Sequence, residues 1–251
     1  MRKKINKVTK GQKIFSFAKK IIPGGNMLLS KNPDRFLPKG WPVYFQKTKG
    51  CEVWDLDRNK FYDLSLMGVG TNILGYSNKT VDASVKKVIK NGNMSSLNCP
   101  EEVYLAEKLI EIHPWAQMVR LARTGGEANA IAVRIARASS GKDNVAFCGY
   151  HGWHDWYLAT NINKNQNLNS HLLKNLPING VPKNLANSIF PFKFNDYNEL
   201  EKIVSRKNIG VICMEVVRSE LPKDSFLQKV RKLANKKGIV LIFDECTSGF
   251  R

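Results

Sequence analysis

Short apolar runs alternate with stretches of helical periodicity along most of this chain. The strongest run covers residues 239–243, where five apolar residues stand between Gly238 and the acids Asp244 and Glu245. Such a run is typical of a parallel strand that is covered on both faces of its sheet. Because ligands bind beyond the carboxyl ends of parallel strands, we predict that Asp244 and Glu245 face a functional site.

Strands and helices are predicted in alternation from residue 118 to the last strand. The strands are predicted over 118–122, 144–148, 210–214 and 239–243. The helices are predicted over 127–138, 198–204 and 224–237, with a loop-rich stretch from His151 to about Asn195. This rhythm indicates an α/β fold, with a mostly parallel sheet and helices on both of its faces.

The N-terminal part of the chain predicts an arm, residues 1–45, followed by local elements. These elements are an amphipathic helix over 14–22, a two-stranded hairpin over 50–64, and helices over 81–89 and 100–110. We therefore divide the chain into an arm with a hairpin, residues 1–64, and a partial large domain, residues 65–251.

The composition is that of a globular protein with a basic surface. The chain has 251 residues, of which 43% are hydrophobic, which is enough for a sizeable core. The net charge of +19 is compatible with a basic nucleic-acid-binding module. However, the lysines are scattered over every segment, and the sequence contains no arginine-rich stripe with interleaved aromatics. We interpret the charge as a solvated surface and expect no nucleic-acid partner.

Cysteine spacing and the N-terminal apolar stretch both bear on localisation. The five cysteines are widely spaced and form no CxxC pair, as in a reduced cytosolic protein. The apolar stretch over 14–22 is interrupted by Lys19 and Lys20, so it fits neither a signal peptide nor a membrane span. We expect a cytoplasmic protein with no membrane partner.

A phosphate site is one interpretation of Thr124-Gly125-Gly126-Glu127, at the start of the helix that follows the predicted 118–122 strand. Two glycines at a helix N-terminus leave backbone N–H groups that suit a phosphate. The same Thr-x-x-Glu spacing forms a capping box, which satisfies those N–H groups internally. From the residues alone, both interpretations stay open.

An aromatic and histidine cluster follows the next predicted strand, in the segment Gly149-Tyr150-His151-Gly152-Trp153-His154-Asp155-Trp156. It suits stacking on a flat ring, but it equally suits a packed loop, and a His/His/Asp zinc site is a weaker third interpretation. Glu215 and Asp244 follow two further strands, so four segments are predicted to converge on one crevice. A phosphate cradle, a stacking aromatic and a buried carboxylate together fit pyridoxal phosphate, whose ring nitrogen a carboxylate keeps protonated.

Eight motifs occur in an order that is specific to one family. They are Ile22-Pro23-Gly24-Gly25, Trp54-Asp55-Leu56-Asp57, Ile73-Leu74-Gly75-Tyr76, the segment 119–128 around Thr124, Tyr150-His151-Gly152, Phe194-Asn195-Asp196, residues 241–245, and Ser248-Gly249-Phe250-Arg251. With them the chain resembles the class III, fold-type I aminotransferases, and within these the glutamate-1-semialdehyde 2,1-aminomutase branch. The resemblance implies a pyridoxal-phosphate-dependent transferase large domain with an N-terminal arm, truncated before the small C-terminal domain.

The resemblance also assigns residues to the cofactor site. It implies that Thr124, Gly125 and Gly126 hold the cofactor phosphate, with Gly126 standing where the family usually has threonine. It further implies that Tyr150 stacks on the pyridine ring, that Asp244 pairs with the ring nitrogen, and that His151 and Glu215 line the site, with no metal. The substrates it implies are an amino donor and a carbonyl acceptor. It also implies a homodimer, for which the arm and the loop 93–99 are our candidate contacts.

The chain departs from the family pattern in ways that affect function. The family's Schiff-base lysine follows the segment at which this chain ends, so we expect no catalytic lysine in it and an inactive fragment. The aminomutase's arginine after the Pro-Gly-Gly turn is absent, and Arg218 after Glu215 is a candidate substrate contact. These departures favour a sugar or other carbonyl aminotransferase of surface-polysaccharide biosynthesis as the alternative function. A catalytically inactive or basic binding module is the alternative from another class.

Overall fold

The computed structural model of the protein describes residues 8–92, 95–163, 167–171, 176–217 and 219–250. The chain forms two compact units, Met1–Tyr104 and Leu105–Arg251. Within the described residues, no helix has both the length and the apolar character that crossing a membrane requires.

The first unit contains short helices and a small antiparallel sheet. Its elements are α1 (Lys10–Ile21), α2 (Pro33–Phe36), β1 (Phe45–Lys49), β2 (Glu52–Asp55), β3 (Lys60–Tyr62), α3 (Lys79–Lys90) and the start of α4 (Pro100–Ile112). Helix α1 begins at Lys10, four residues before the predicted start, because a capping box forms there in which Thr9 and Gln12 each accept the backbone N–H of the other. The predicted hairpin is part of a three-stranded sheet in the order β1-β2-β3. Strand β1 was missed because its residues are mostly exposed and give no apolar alternation.

The second unit contains the α/β fold that the sequence predicted. Its elements are α5 (Gly125–Ser140), β4 (Asn144–Cys148), α6 (Asp155–Leu158), β5 (Ile189–Pro191), α7 (Tyr197–Arg206), β6 (Ile209–Glu215), α8 (Phe226–Lys237) and β7 (Val240–Asp244). The four strands form one sheet in the order β5-β4-β6-β7, and all three pairings are parallel.

Helices cover both faces of this sheet, which confirms the predicted layers. Alternate side chains of β6 pack on opposite faces of the sheet. Val211 and Cys213 pack in the same cluster as Val133 and Ala136 of α5. Their neighbours Ile212 and Met214 pack on the other face, in a cluster that includes residues of α7 and α8. Successive strand side chains point to opposite faces, so a strand that is apolar throughout needs a helix on each side.

The structure corrects two sequence predictions. Residues 118–122 form no strand, and Met118 is 88% exposed. A strand requires ladder hydrogen bonds, and this apolar run pairs with no strand in the described part of the chain. Strand β5 lies inside the stretch that we predicted to be loop-rich, because three residues are too short to give a pattern. Strand β7 is an edge strand, but it packs on both faces as predicted: Leu241 lies against the cluster on one face and Val240 and Ile242 against the cluster on the other, while Phe243 is 41% exposed.

Candidate active site

The parallel register brings the carboxyl ends of three strands to one edge of the sheet. Glu215 and Asp244 are the last residues of β6 and β7 and lie opposite each other in the ladder. Cys148, the last residue of β4, lies opposite Met214. Both carboxylates are buried, with 4% of Glu215 and 8% of Asp244 exposed. Two buried acids side by side at a strand end indicate a site built for a positively charged or hydrogen-donating group.

The Asp244 carboxylate is held by groups from α5 and from the loop after β4. Its Oδ2 accepts a hydrogen bond from Asn129 Nδ2 at 2.8 Å and lies 2.8 Å from His151 Nδ1. Its Oδ1 accepts the backbone N–H of Cys246 at 2.9 Å. A carboxylate can accept about four hydrogen bonds, so Oδ1 keeps one position to which no described residue donates.

His151 is fully buried and pairs with Asp244 as an ion. Its Nδ1 faces the carboxylate, and its Nε2 lies 3.1 Å from the carbonyl oxygen of Cys148. Because both partners only accept, both ring nitrogens must carry a proton, which makes the ring an imidazolium. Burial lowers the pKa of His151, but the Cys213 thiol and the Asp244 carboxylate outweigh burial and raise that pKa to about 10.

The same ion pair lowers the pKa of the Asp244 carboxyl group. Burial raises the pKa of Asp244, but hydrogen bonds from His151, Cys246 and Asn129 outweigh it and hold the pKa below its usual range. Asp244 therefore stays anionic, although it is buried.

Asn129 is a site residue that the sequence prediction missed. It lies on the buried face of α5, in line with Val133 and Ala136. Its side chain donates to Asp244, and its Oδ1 lies 4.0 Å from Cys213 Sγ. The available signal was a polar residue on an otherwise apolar helix face, because such a residue needs a buried partner.

The loop after β4 approaches Glu215 so closely that only glycine fits at position 149. The φ angle of Gly149 is +114°, and a Cβ there would collide with the Glu215 carboxylate. That carboxylate accepts the Tyr150 N–H at 3.2 Å. The Tyr150 ring lies edge-on to Tyr157 with centroids 5.8 Å apart, and the Tyr157 hydroxyl donates to the Gly149 carbonyl at 3.0 Å. These contacts fix the direction of the Tyr150 ring at this edge of the sheet.

The start of α5 contains both a helix cap and open N–H groups, the two interpretations that the sequence left open. Thr124 is the N-cap, and its Oγ1 accepts the Glu127 N–H at 3.2 Å. The Glu127 carboxylate accepts the Arg123 N–H at 2.8 Å. The cap thus uses only one of the first N–H groups, and those of Gly125 and Gly126 donate to no acceptor in the described ranges. A helix of 16 residues with two open N–H groups at its positive end suits an anion.

The same loop after β4 also lies directly on this helix start. The φ angle of Gly152 is +101°, and a Cβ there would lie 2.8 Å from the Cα of Gly126. The two backbones are therefore in contact, and glycine is needed at position 152 for both reasons. The zinc interpretation gains no support, since no group of three or more metal-ligating side chains occurs among the described residues.

Three predicted features lie wholly or partly outside the described residues. The candidate substrate contact Arg218 and the last residue, Arg251, lie outside the described residues. The loop 93–99, a candidate dimer contact, lies partly outside them, because residues 93 and 94 are not described.

A parallel sheet with helices on both faces places the protein in the α/β class, and its buried carboxylate lies at the edge where such sheets bind ligands. Residues 38–251 match the class-III aminotransferase family, to which the chain belongs. This is a family of pyridoxal-phosphate-dependent enzymes, and the match confirms the resemblance that the motifs carry.

Curated relatives and solved structures agree with this membership. The chain is 34% identical to the 3-aminobutyryl-CoA aminotransferase of Cloacimonas acidaminovorans, covering 98% of the chain and 57% of that protein. It is also 34% identical to the glutamate-1-semialdehyde 2,1-aminomutase of Methanobrevibacter smithii, covering 95% of the chain and 55% of that protein. The PLP internal aldimine form of the FumI protein from Sphingopyxis sp. MTA144 has the same fold, with a TM-score of 0.81 at 22% identity, over 96% of this chain and 56% of that one. The chain thus spans just over half the length of these relatives.

Proposed function

We propose that this chain forms the cofactor-binding part of a pyridoxal-phosphate-dependent enzyme that moves an amino group from a donor to a carbonyl acceptor. One observation supports this most strongly. The buried His151–Asp244 ion pair leaves an acceptor position on Asp244, and Asn129 links this carboxylate to α5, at whose start two N–H groups are open. A cationic ring nitrogen and a phosphate on one molecule would satisfy both.

The residues present fit each part of the cofactor. The Gly125 and Gly126 N–H groups would hold the phosphate beside the Thr124 cap, and Tyr150 would lie against the ring. The open position on Asp244 Oδ1 would accept the ring N–H. Pyridoxal phosphate, when bound, supplies an electron sink for bonds at the carbon that carries the amino group.

The residues around Asp244 act by electrostatics and by orienting its carboxylate. The positively charged His151 keeps Asp244 anionic. An anionic Asp244 would hold a proton on the ring nitrogen of the bound cofactor. Asn129 and the Cys246 N–H fix the direction of the carboxylate, so it does not have to reorganise when the ring arrives. Glu215, placed through the Tyr150 N–H, lines the same edge.

The substrate class rests on relatives and on one sequence departure. The relatives named above are an aminotransferase and an aminomutase, so both reactions are candidates. The segment after Pro23-Gly24-Gly25 reads Asn26-Met27-Leu28-Leu29-Ser30-Lys31 and has no arginine for a substrate carboxylate. This favours a sugar or another carbonyl compound as the second candidate acceptor.

We also propose that the complete enzyme is a cytoplasmic homodimer. Helix α3 buries none of its residues in the described chain, and it exposes Val81, Val85 and Ile89 by 48%, 51% and 57%. An exposed apolar stripe of this kind suits a protein contact. Light scattering that showed an active, full-length monomer would contradict the dimer.

Cofactor titration tests the proposed function directly. The purified chain is titrated with pyridoxal phosphate, and binding is followed by cofactor absorbance and tryptophan fluorescence. We expect saturable binding, retained in Tyr150→Phe and weakened about tenfold in Tyr150→Ala, because a ring stack contributes roughly 1–1.5 kcal/mol. A folded chain without saturable cofactor binding, but with a salt-dependent affinity for DNA, would support the basic binding module instead.

A further inference from the structure

A histidine outside the residues assigned so far lies against the start of α5. An ideal Cβ built on Gly126 would lie 3.0 Å from His154 Nδ1 and 3.1 Å from His154 Cε1. The His154 ring therefore occupies the space that a side chain at position 126 would take. Glycine at 126 is what allows this ring to reach the helix.

The contact between His154 and Gly126 lies on the N-terminal side of the helix start. In an α-helix each Cα–Cβ bond tilts toward the N-terminus. A group at the Cβ position of Gly126 thus lies on the N-terminal side of that residue, and the open N–H groups of Gly125 and Gly126 point to the same side. The His154 Nδ1 and the two N–H groups converge on one small region.

The His154 Nδ1 has no partner in that region. It is buried, and no described group makes a hydrogen bond with it. Buried polar atoms are nearly always hydrogen-bonded, so an orphan beside two open donors indicates a ligand that is an acceptor.

The position of the ring is determined by its surroundings. His154 is the N-cap of α6, and its carbonyl accepts the N–H groups of Tyr157 and Leu158 at 2.9 and 3.1 Å. Its ring stacks on Trp153 with centroids 5.1 Å apart and 27° between the planes. The contact with Gly126 on the other side leaves the ring little freedom.

We propose that His154 is a third ligand of the cofactor phosphate, with Nδ1–H donating beside the N–H groups of Gly125 and Gly126. This inference rests on the proposed function, because it assumes that the anion at α5 is the phosphate of pyridoxal phosphate. The ligand proposed for this site is a phosphate monoester dianion, which offers three strong acceptor oxygens to three converging donors.

The test compares pyridoxal phosphate with pyridoxal, which has the same ring without the phosphate. Dissociation constants for both are measured with wild type, His154→Ala and His154→Asn. We expect His154→Ala to weaken pyridoxal phosphate about tenfold, as for one hydrogen bond to a charged group, and to leave pyridoxal unchanged. His154→Asn places an amide N–H where Nδ1 stood, so it should keep most of the affinity. The matched control His113→Ala should change neither ligand.

A double-mutant cycle separates the phosphate contact from a packing role. Gly126→Ser alone brings a Cβ within 3.0 Å of Nδ1 and should weaken the phosphate-dependent affinity. In Gly126→Ser/His154→Ala the space is open and the serine hydroxyl can donate, so the double variant should bind pyridoxal phosphate more tightly than His154→Ala. Thermal unfolding of each variant shows whether it is folded, and the double variant decides the question if His154→Ala alone is unstable.

The outcomes distinguish the two levels of inference. A wild type that binds neither ligand overturns the proposed function and this inference with it. A wild type that prefers pyridoxal phosphate, with the same preference in His154→Ala, overturns only the role of His154.

Discussion

His151 Nδ1 lies 2.8 Å from Asp244 Oδ2, although 93 residues separate the two along the chain. The pair is buried, charged on both sides, and supported by Asn129 and the carbonyl of Cys148. A buried ion pair contributes little net stability when it is intact, but losing one partner leaves an uncompensated buried charge. The pair is therefore a sensitive point of the fold as well as of the site.

Replacing Asp244 with asparagine should expose this sensitivity. Asp244→Asn leaves the buried imidazolium unpaired, so we expect the free energy of unfolding in urea to fall by about 3–5 kcal/mol. The exposed Asp143 offers a matched control, and Asp143→Asn should change stability by less than about 0.5 kcal/mol. Equal losses in the two variants would contradict the ion pair.

The acid side of the stability profile should depend on His171. Burial and the charge on His151 lower the pKa of His171 to about 4, and its Nδ1 accepts the Gly149 N–H. The unfolded chain then binds a proton more readily than the folded one, so the stability it contributes is lost as pH falls from about 6.5 toward 4.

His171→Asn is the variant that isolates this contribution, because asparagine keeps an acceptor at the same position and does not titrate. Between pH 7 and pH 5 we expect wild type to lose about 2 kcal/mol more than the variant. Parallel urea-unfolding profiles for the two proteins over this range would show that His171 is not held neutral.

Gly149 should tolerate no side chain. Gly149→Ala combines a strained φ with a collision against Glu215, so we expect a loss of about 2–6 kcal/mol in the free energy of unfolding. Gly238→Ala is the control, since its φ is +62° and an added Cβ meets nothing within 4 Å. That control should cost about 1–2 kcal/mol. A Gly149→Ala protein as stable as Gly238→Ala would mean that the loop can move away from Glu215.

Thr124 should stabilise helix α5 even when no ligand is bound. Thr124→Ala removes the acceptor for the Glu127 N–H, which should lower the free energy of unfolding by about 1 kcal/mol, while Thr124→Ser should preserve it. Chemical denaturation without cofactor is the measurement. A stability equal to wild type in Thr124→Ala would show that the cap is not formed.

Buried strands were predictable from the sequence because they are apolar on both faces. The runs at 144–148 and 210–214 lie within one residue of β4 and β6. The same reasoning was wrong for 118–122, since an apolar run shows that a segment tends to be buried and does not show that a partner strand is present. It also missed β1 and β5, whose exposure or length leaves no period to detect.

Some residues of the candidate site were predictable from the sequence and others were not. Asp244 and Glu215 were predictable because strand ends in parallel sheets point to one edge. Asn129 and His154 were not, because their positions depend on how α5 and the loop after β4 pack together. The roles of Thr124, Gly125, Gly126 and Tyr150 stay predictions until ligand binding is measured.

The hydrogen bond between Asn129 and Asp244 joins positions 115 residues apart. Closing a loop of this length costs conformational entropy, which other contacts have to compensate. During synthesis, the position proposed for the ring nitrogen cannot exist until residue 244 has left the ribosome. Binding at this position would therefore report that the strand order β4-β6-β7 has formed, which makes a cofactor-like ring a probe of this stage of assembly.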